Sequence, residues 1–158
     1  MIPALAIAEL LQDGGISKDQ LHFVGSTNGV ETTLVPPTGI PMSLLTVQGF
    51  GRGLSLRALK QNIRTLRVLR NASRHAERLL SSLRPAVVVS VGGYASVPAT
   101  RAAKKLKIPV VTVSYDQQPG LATRLQARSA SGVAVAYLPS RLKNATLTGA
   151  PVRRVLRN

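Results

Sequence analysis

The chain has no cysteine and no tryptophan, and aromatic residues make up only 3% of its 158 residues. Without cysteine there are no disulfides, no thiolate metal ligands and no cysteine nucleophile, and a cytoplasmic home is compatible. Scarce aromatics argue against a platform for stacking bases. Acids are scarce too: Glu9, Asp13, Asp19, Glu31, Glu77 and Asp116 are the six, and no two of them cluster. That argues against paired-carboxylate chemistry. His22 and His75 are the only histidines and lack metal-ligand spacing or a triad partner, so no metal site is expected. No apolar run reaches the ~20 residues of a membrane span. The first residues lack the basic region of a signal peptide, and their apolar stretch carries Glu9. Neither a span nor an export signal is expected, and surface association stays open.

Apolar residues make up 44% of the chain, enough for one domain with a real core. The remaining signal is charge. Twenty-one bases face six acids, a net charge of +15. It is unevenly placed: residues 1–50 hold one lysine and four acids, net −3, and residues 51–158 hold twenty bases and two acids, net +18. Such a field attracts polyanions: nucleic acid, anionic lipid or phosphorylated substrates.

The opening MIPALAIAELLQDGG predicts a helix with Pro3 in its first turn and Gly14 and Gly15 at its end. Strands are predicted at 21–25 and 43–47, separated by turn residues from Gly25 to Gly29 and a short proline-ended helix or loop. QGFGRG (48–53) is a glycine-rich loop, and a helix of about 45 Å follows over 54–83. The β-branched runs 86–91 and 108–114 predict buried strands, each followed by a helix, over 96–106 and 120–130. Short strands are predicted at 132–138 and 144–149. Strands alternating with helices predict an α/β fold with a parallel sheet.

Three features could carry chemistry. In VVVSVGGYASVPA (87–99) a strand runs into Gly92-Gly93 and then into a helix near Ser96. Glycines allow close backbone approach, and a helix N-terminus offers free N–H groups, which suits a phosphate or pyrophosphate. A plain strand–turn–helix connection would look the same. In VSYDQQPGLATR (113–124), Asp116 stands beyond the carboxyl end of a strand, where ligands of open α/β sheets bind. It could be a base, a hydroxyl acceptor, or only a turn residue. On the long helix, Arg57, Lys60, Arg64, Arg67, Arg70, Arg74 and Arg78 share one face, and Leu69, Ala72, Ala76, Leu80 and Leu83 lie opposite as a core stripe. Leu56, Leu59 and Ile63 sit beside or among the bases, as in a helix lying on an anionic membrane. A solvated basic face with a few exposed leucines is the simpler alternative.

The blocks PALAIAELL (3–11), FVGSTNGVETTLVP (23–36), GFGRG (49–53), RPAVVVSVGGYASVPA (84–99), IPVVTVS (108–114), PGLATRLQAR (119–128) and TGAPVR (148–153), in this order, resemble the N-terminal domain of the MurG family. These are peripheral membrane glycosyltransferases that move N-acetylglucosamine from UDP-GlcNAc onto undecaprenyl-pyrophosphoryl-MurNAc-pentapeptide (lipid I), giving lipid II. The resemblance implies a Rossmann-like parallel sheet flanked by helices, the N-terminal half of a two-domain GT-B enzyme. It implies UDP-GlcNAc, lipid I and an anionic membrane surface as partners, no nucleic acid, no cofactor, and a place on the cytoplasmic face of the plasma membrane.

By resemblance, Gly92, Gly93, Tyr94 and Ser96 match the GGYxS loop that holds the acceptor pyrophosphate. Asp116 and Arg153 fall on donor-side positions, and Leu56, Leu59, Ile63 and Leu66 with Arg57, Lys60, Arg64 and Arg67 match the membrane patch. Departures are equally specific. The family's first loop, GGTGGH, and the strand before it would precede Met1, so the family's catalytic His has no counterpart here and no catalytic residue is assigned, Asp116 being a weak substitute. The HEQNA block reads VSYDQ, with Val113, Ser114 and Asp116 for its His, Glu and Asn, and Ala150 replaces the Asn of TGNPVR. The expectation is a single lipid-acceptor domain over 1–158, truncated at both ends, lacking the donor-binding domain and inactive alone. Without the central first strand, the strands at 21–25 and 86–91 would keep free edges or pair directly. A non-catalytic divergent homologue and a basic nucleic-acid-binding module are the alternatives.

Overall fold

A computed structural model describes the backbone of residues 1–47 and 56–156, and the side chains of 1–47 and 67–156. The loop 48–53 therefore lies outside the described residues, as do the side chains of Leu56, Arg57, Leu59, Lys60, Ile63, Arg64 and Leu66.

Helix α1 (Ile2–Asp13) carries its proline in the first turn. It ends as its two glycines require: Gly15 adopts φ +94°, the Gly15 amide reaches Gln12 O and the Ile16 amide reaches Leu11 O. Those two bonds satisfy carbonyls that a helix end leaves orphaned. Strand β1 (Phe23–Ser26) leads through α2 (Glu31–Leu34) to β2 (Met42–Leu45). Helix α3 (Leu56–Leu83) follows, then β3 (Val88–Ser90), α4 (Val97–Lys105), β4 (Val110–Ser114), α5 (Leu121–Ala127), β5 (Gly132–Val135) and β6 (Ala145–Leu147). Short 3-10 turns at Lys18–Gln20, Pro36–Thr38 and Arg154–Leu156 complete the chain.

Among the described residues every strand pairing is parallel, in two sheets: β1-β2 and β3-β4-β5-β6. One core joins them. Leu45 from β2, Ala76 and Leu80 from α3, Ala102 and Ala103 from α4 and Val110 from β4 are buried together, with Val24 of β1 and Val88 of β3 packed against them. β1 and β3 thus lie under the same helices, yet they are not hydrogen-bonded to each other. The architecture is the Rossmann-like α/β arrangement expected, with the outer edges of β1 and β3 unjoined.

The free edge of β1 is partly closed from within. Amides alternate in direction along a strand. Those of Phe23 and Thr27 bond toward β2, so the Ser26 amide points the other way, and the carboxylate of Glu31 takes it at 2.6 Å.

Two expectations need correction. The run 86–91 is not buried on both faces, since Val87 and Val89 are 45% and 41% exposed. Val88 and Ser90 face the helices instead: Val88 packs on the α3–α4 core and Ser90 bonds to α5. All three helices cover one face, and period-two alternation leaves Val87 and Val89 on the other. Leu83, the last residue of α3, is likewise 41% exposed, whereas Ala72, Ala76 and Leu80 are buried as the stripe predicts. Strands are shorter than their apolar runs. β4 opens at Val110 because Pro109 has no amide to give the ladder.

Candidate functional site

The two-glycine loop leaves the carboxyl end of β3 and enters α4. Gly92 and Gly93 adopt φ +83° and +82°, a left-handed pair that side chains resist. A Cβ on Gly92 would come within 2.6 Å of Thr123 Oγ1 on α5, whereas a Cβ on Gly93 would meet nothing within 4 Å. Gly92 is thus glycine for packing as well as for φ, and Gly93 faces open space. Tyr94 is half exposed and Ser96 stands at the start of α4, whose first turn carries Pro98. The Ser96 hydroxyl does not cap the helix. It turns back toward the loop, 3.0 Å from the Gly92 carbonyl and 2.9 Å from the Gly93 carbonyl. Gly92, Gly93, Tyr94 and Ser96, which the sequence groups together, stand in the connection between β3 and α4.

What holds that loop was missed in the sequence. Gln126 of α5 is 6% exposed and reaches under the loop, bonding to Ser90, Ser96 and the Gly93 carbonyl. The only sequence signal for it is a lone glutamine among Ala122, Thr123 and Ala127, where helix periodicity calls for an apolar residue. Glu31 was also missed. Its chain lies so close to Gly25 and Gly29 that a Cβ on either would overlap it.

Asp116 follows β4, the strand beside β3, so it and the glycine loop stand at the carboxyl edge of one parallel sheet. It is exposed and does not cap α5, whose N-cap residue is Gly120. Val113 and Ser114 are buried in β4, and the Ser114 hydroxyl has no hydrogen-bond partner among the described residues. Neither reaches out from the strand end.

Arg153 sits elsewhere, on α1. Its Nε donates to Glu9 at 2.7 Å, the Arg154 amide donates to the same carboxylate at 2.6 Å, and the Arg154 guanidinium pairs with Asp13. Burial alone would raise the Glu9 pKa, but the bonds from Arg154 and Arg153 and the charges of both arginines outweigh it and hold the carboxyl below its usual value. A cavity of about 330 Å³ beside this clamp is lined by Glu9, Gln12, Lys18, Leu34 and Arg153.

On α3, Arg67, Arg70, Arg74 and Arg78 are exposed, as the basic face requires. Glu77 is tied to Lys105 of α4 at 2.6 Å. No helix among the described residues is long and apolar enough to cross a membrane. His22 bonds to Ser43 on the neighbouring strand at 2.9 Å, and burial lowers its pKa.

Residues 1–135 match the family described as "Glycosyltransferase family 28 N-terminal domain". The chain is 37% identical over 158 residues to the UDP-N-acetylglucosamine--N-acetylmuramyl-(pentapeptide) pyrophosphoryl-undecaprenol N-acetylglucosamine transferase of Carboxydothermus hydrogenoformans, covering 98% of this chain and 41% of the relative. The enzyme of the same name from Thermodesulfovibrio yellowstonii is 34% identical over 160 residues, covering 98% and 42%. The crystal structure of Acinetobacter baumannii MurG superposes with a TM-score of 0.78 at 25% identity, over 96% of this chain and 42% of that one. The chain thus spans about two fifths of the length of such relatives. With the fold, the order of its elements and the family match in agreement, the chain belongs to glycosyltransferase family 28, as a homologue of the MurG N-terminal domain.

Proposed function

We propose that residues 1–158 form the lipid-acceptor domain of a hexosyltransferase of peptidoglycan synthesis, which moves N-acetylglucosamine from UDP-GlcNAc to lipid I and gives lipid II. The observation that carries this reading is the glycine loop at 92–96: in a chain of this family, two successive left-handed glycines, the second facing open space, stand just before a helix N-terminus. Such a loop can bring backbone N–H groups against the acceptor pyrophosphate and stabilise its charge without reorganisation. Gly92, Gly93, Tyr94 and Ser96 hold the pyrophosphate. The MurNAc C4 hydroxyl then attacks C1 of GlcNAc, UDP leaves, and a base removes the hydroxyl proton. Asp116, exposed on the same sheet edge, belongs to the donor side. Arg153 serves the donor in the assembled enzyme after exchanging its Glu9 contact. UDP-GlcNAc is held mainly by a second domain.

The exposed bases of α3 support a place at an anionic surface, the cytoplasmic face of the plasma membrane, with Leu56, Leu59, Ile63 and Leu66 entering the lipid beside Arg57, Lys60, Arg64 and Arg67. A chimera tests the whole reading. In it, residues 1–158 replace the matching segment of the Carboxydothermus hydrogenoformans enzyme, and transfer from UDP-GlcNAc to lipid I is measured. Formation of lipid II is the expected result. A folded chimera that binds lipid I but makes no lipid II would favour a non-catalytic homologue, for which the altered residues Val113, Ser114 and Asp116 speak. A folded chimera that does not bind lipid I would overturn the acceptor reading.

A further inference from the structure

The polar groups beneath the glycine loop form a closed circuit. The Gly92 amide donates to Ser90 Oγ at 3.2 Å, and Ser90 Oγ donates to Gln126 Oε1 at 2.5 Å. Gln126 Nε2 donates to Ser96 Oγ at 3.0 Å and to the Gly93 carbonyl at 3.3 Å. Ser96 Oγ in turn shares its proton between the carbonyls of Gly92 and Gly93. The orientation of the Gln126 amide follows from this circuit: reversing it would set Oε1 against the Gly93 carbonyl, two acceptors face to face.

The circuit sorts the loop by polarity. Both glycine carbonyls are drawn inward, onto Ser96 and Gln126. The amides of Gly93, Ala95 and Ser96 carry no hydrogen bond among the described residues. A carbonyl oxygen facing an anion would repel it, and an N–H attracts it. With φ positive at two successive glycines, the peptides between β3 and α4 can rotate at little steric cost, so something outside the loop must fix which way they face. Thr123 packs against Gly92 and blocks one side. Among the described residues, Gln126 is the one group that bonds to the strand before the loop, to the helix start after it, and to the loop itself.

We propose that Gln126 is the positioning residue of the anion loop: it touches no ligand, and through Ser90, Ser96 and the Gly93 carbonyl it holds the loop with its amides outward for an isoprenoid pyrophosphate. This rests on the acceptor reading above, and the test separates the two. The ¹⁵N,¹³C-labelled chain is studied by NMR well below its melting temperature, as wild type, Gln126→Leu and Gln126→Glu. The probe is farnesyl pyrophosphate.

Without ligand, the Gln126 side-chain amide protons of the wild type should be protected from solvent exchange. In both variants the Gly92 and Gly93 carbonyl ¹³C resonances should move while the β4 and β5 resonances stay in place. With ligand, both variants should bind roughly tenfold more weakly or worse, the scale of one buried hydrogen bond lost. Gln126→Glu keeps the side-chain shape, so it reports even where Gln126→Leu loosens the fold. It should also regain affinity at low pH, where a protonated carboxyl can donate again. Unmoved glycine carbonyls, or unchanged affinity in a folded variant, would overturn the positioning role. Moved carbonyls with no saturable binding by the wild type would uphold the positioning role and overturn the acceptor reading.

Discussion

Gly92 and Gly93 share a left-handed backbone but differ in what surrounds them, and that difference separates stability from binding. Alanine at either position costs about 1–2 kcal/mol of backbone strain. At Gly92 the new methyl also runs into Thr123 Oγ1, 2.6 Å away. Gly92→Ala should therefore melt well below Gly93→Ala, and Thr123→Ala in the same chain should recover part of the loss. Equal melting temperatures for the two glycine variants would show that the Thr123 contact carries no weight. His22 and Glu9 supply the pH dependence. Burial lowers the His22 pKa from its ordinary 6.5, so the folded chain resists a proton that the unfolded chain accepts. Stability should then fall as pH drops below 6.5 toward the lowered folded value. Glu9 is lowered from 4.5 by its arginine contacts, and its contribution is present above 4.5 and lost as pH falls through the folded value. Thermal melts against pH should show both losses. His22→Gln should flatten the first and Glu9→Gln the second.

At the scale of elements, the weak points are the unjoined edges of β1 and β3. Glu31 satisfies the Ser26 amide on the first of them. Glu31→Ala should cost about 1–3 kcal/mol by leaving that buried donor unpaired, and Glu31→Gln less, because an acceptor remains. Equal denaturation midpoints for Glu31→Ala and wild type would remove Glu31 from this role. Among the described residues the edge of β3 has no such cover, and Val87 and Val89 beside it are exposed. Uncovered apolar edges pair with other chains, so the 158-residue chain should melt below about 45 °C, under the usual mesophile range, and aggregate on heating. A sharp two-state melt above that temperature would contradict this.

These edges also mark how far the sequence could be read. Element types and their order were legible, because β-branched runs and the 3-4 spacing of α3 are strong local signals. The loop at 92–96 was legible for the same reason, as glycines between a strand and a helix. Gln126, Thr123 and the Glu9–Arg153 clamp were not. Their meaning lies in contacts 30 to 144 residues apart in the chain, which no local pattern encodes. The exposure of Val87 and Val89 was missed because a β-branched run reads as buried on both faces whether or not helices cover both.

The whole molecule is electrically lopsided, net −3 in its first fifty residues and net +18 in the rest. The clamp of Glu9 and Asp13 on Arg153 and Arg154 uses two of the few acids to fasten the basic tail to α1. Arg67, Arg70, Arg74 and Arg78 of α3 are exposed, and in the proposed function they meet an anionic surface. Near such a surface each base contributes roughly 1 kcal/mol, and burial of apolar side chains adds a part that salt does not screen. Flotation with anionic vesicles should therefore weaken with salt, and Leu59→Ser with Ile63→Ser should weaken it further even at low salt. If only charge reversals on α3 matter, the helix is a basic surface and nothing more.

A binding site for a lipid-linked pyrophosphate at residues 92–96 is the core of the proposed function. The most direct measurement is the affinity of the chain for lipid I in detergent micelles, in wild type and Gly93→Ala, with UDP-GlcNAc and undecaprenyl pyrophosphate as competitors. Lipid I should bind saturably to the wild type, displaced by undecaprenyl pyrophosphate and untouched by UDP-GlcNAc. Binding should be lost in a Gly93→Ala chain that remains folded. Affinity for lipid I that is the same in wild type and Gly93→Ala, or no saturable binding at all, would contradict the proposed site.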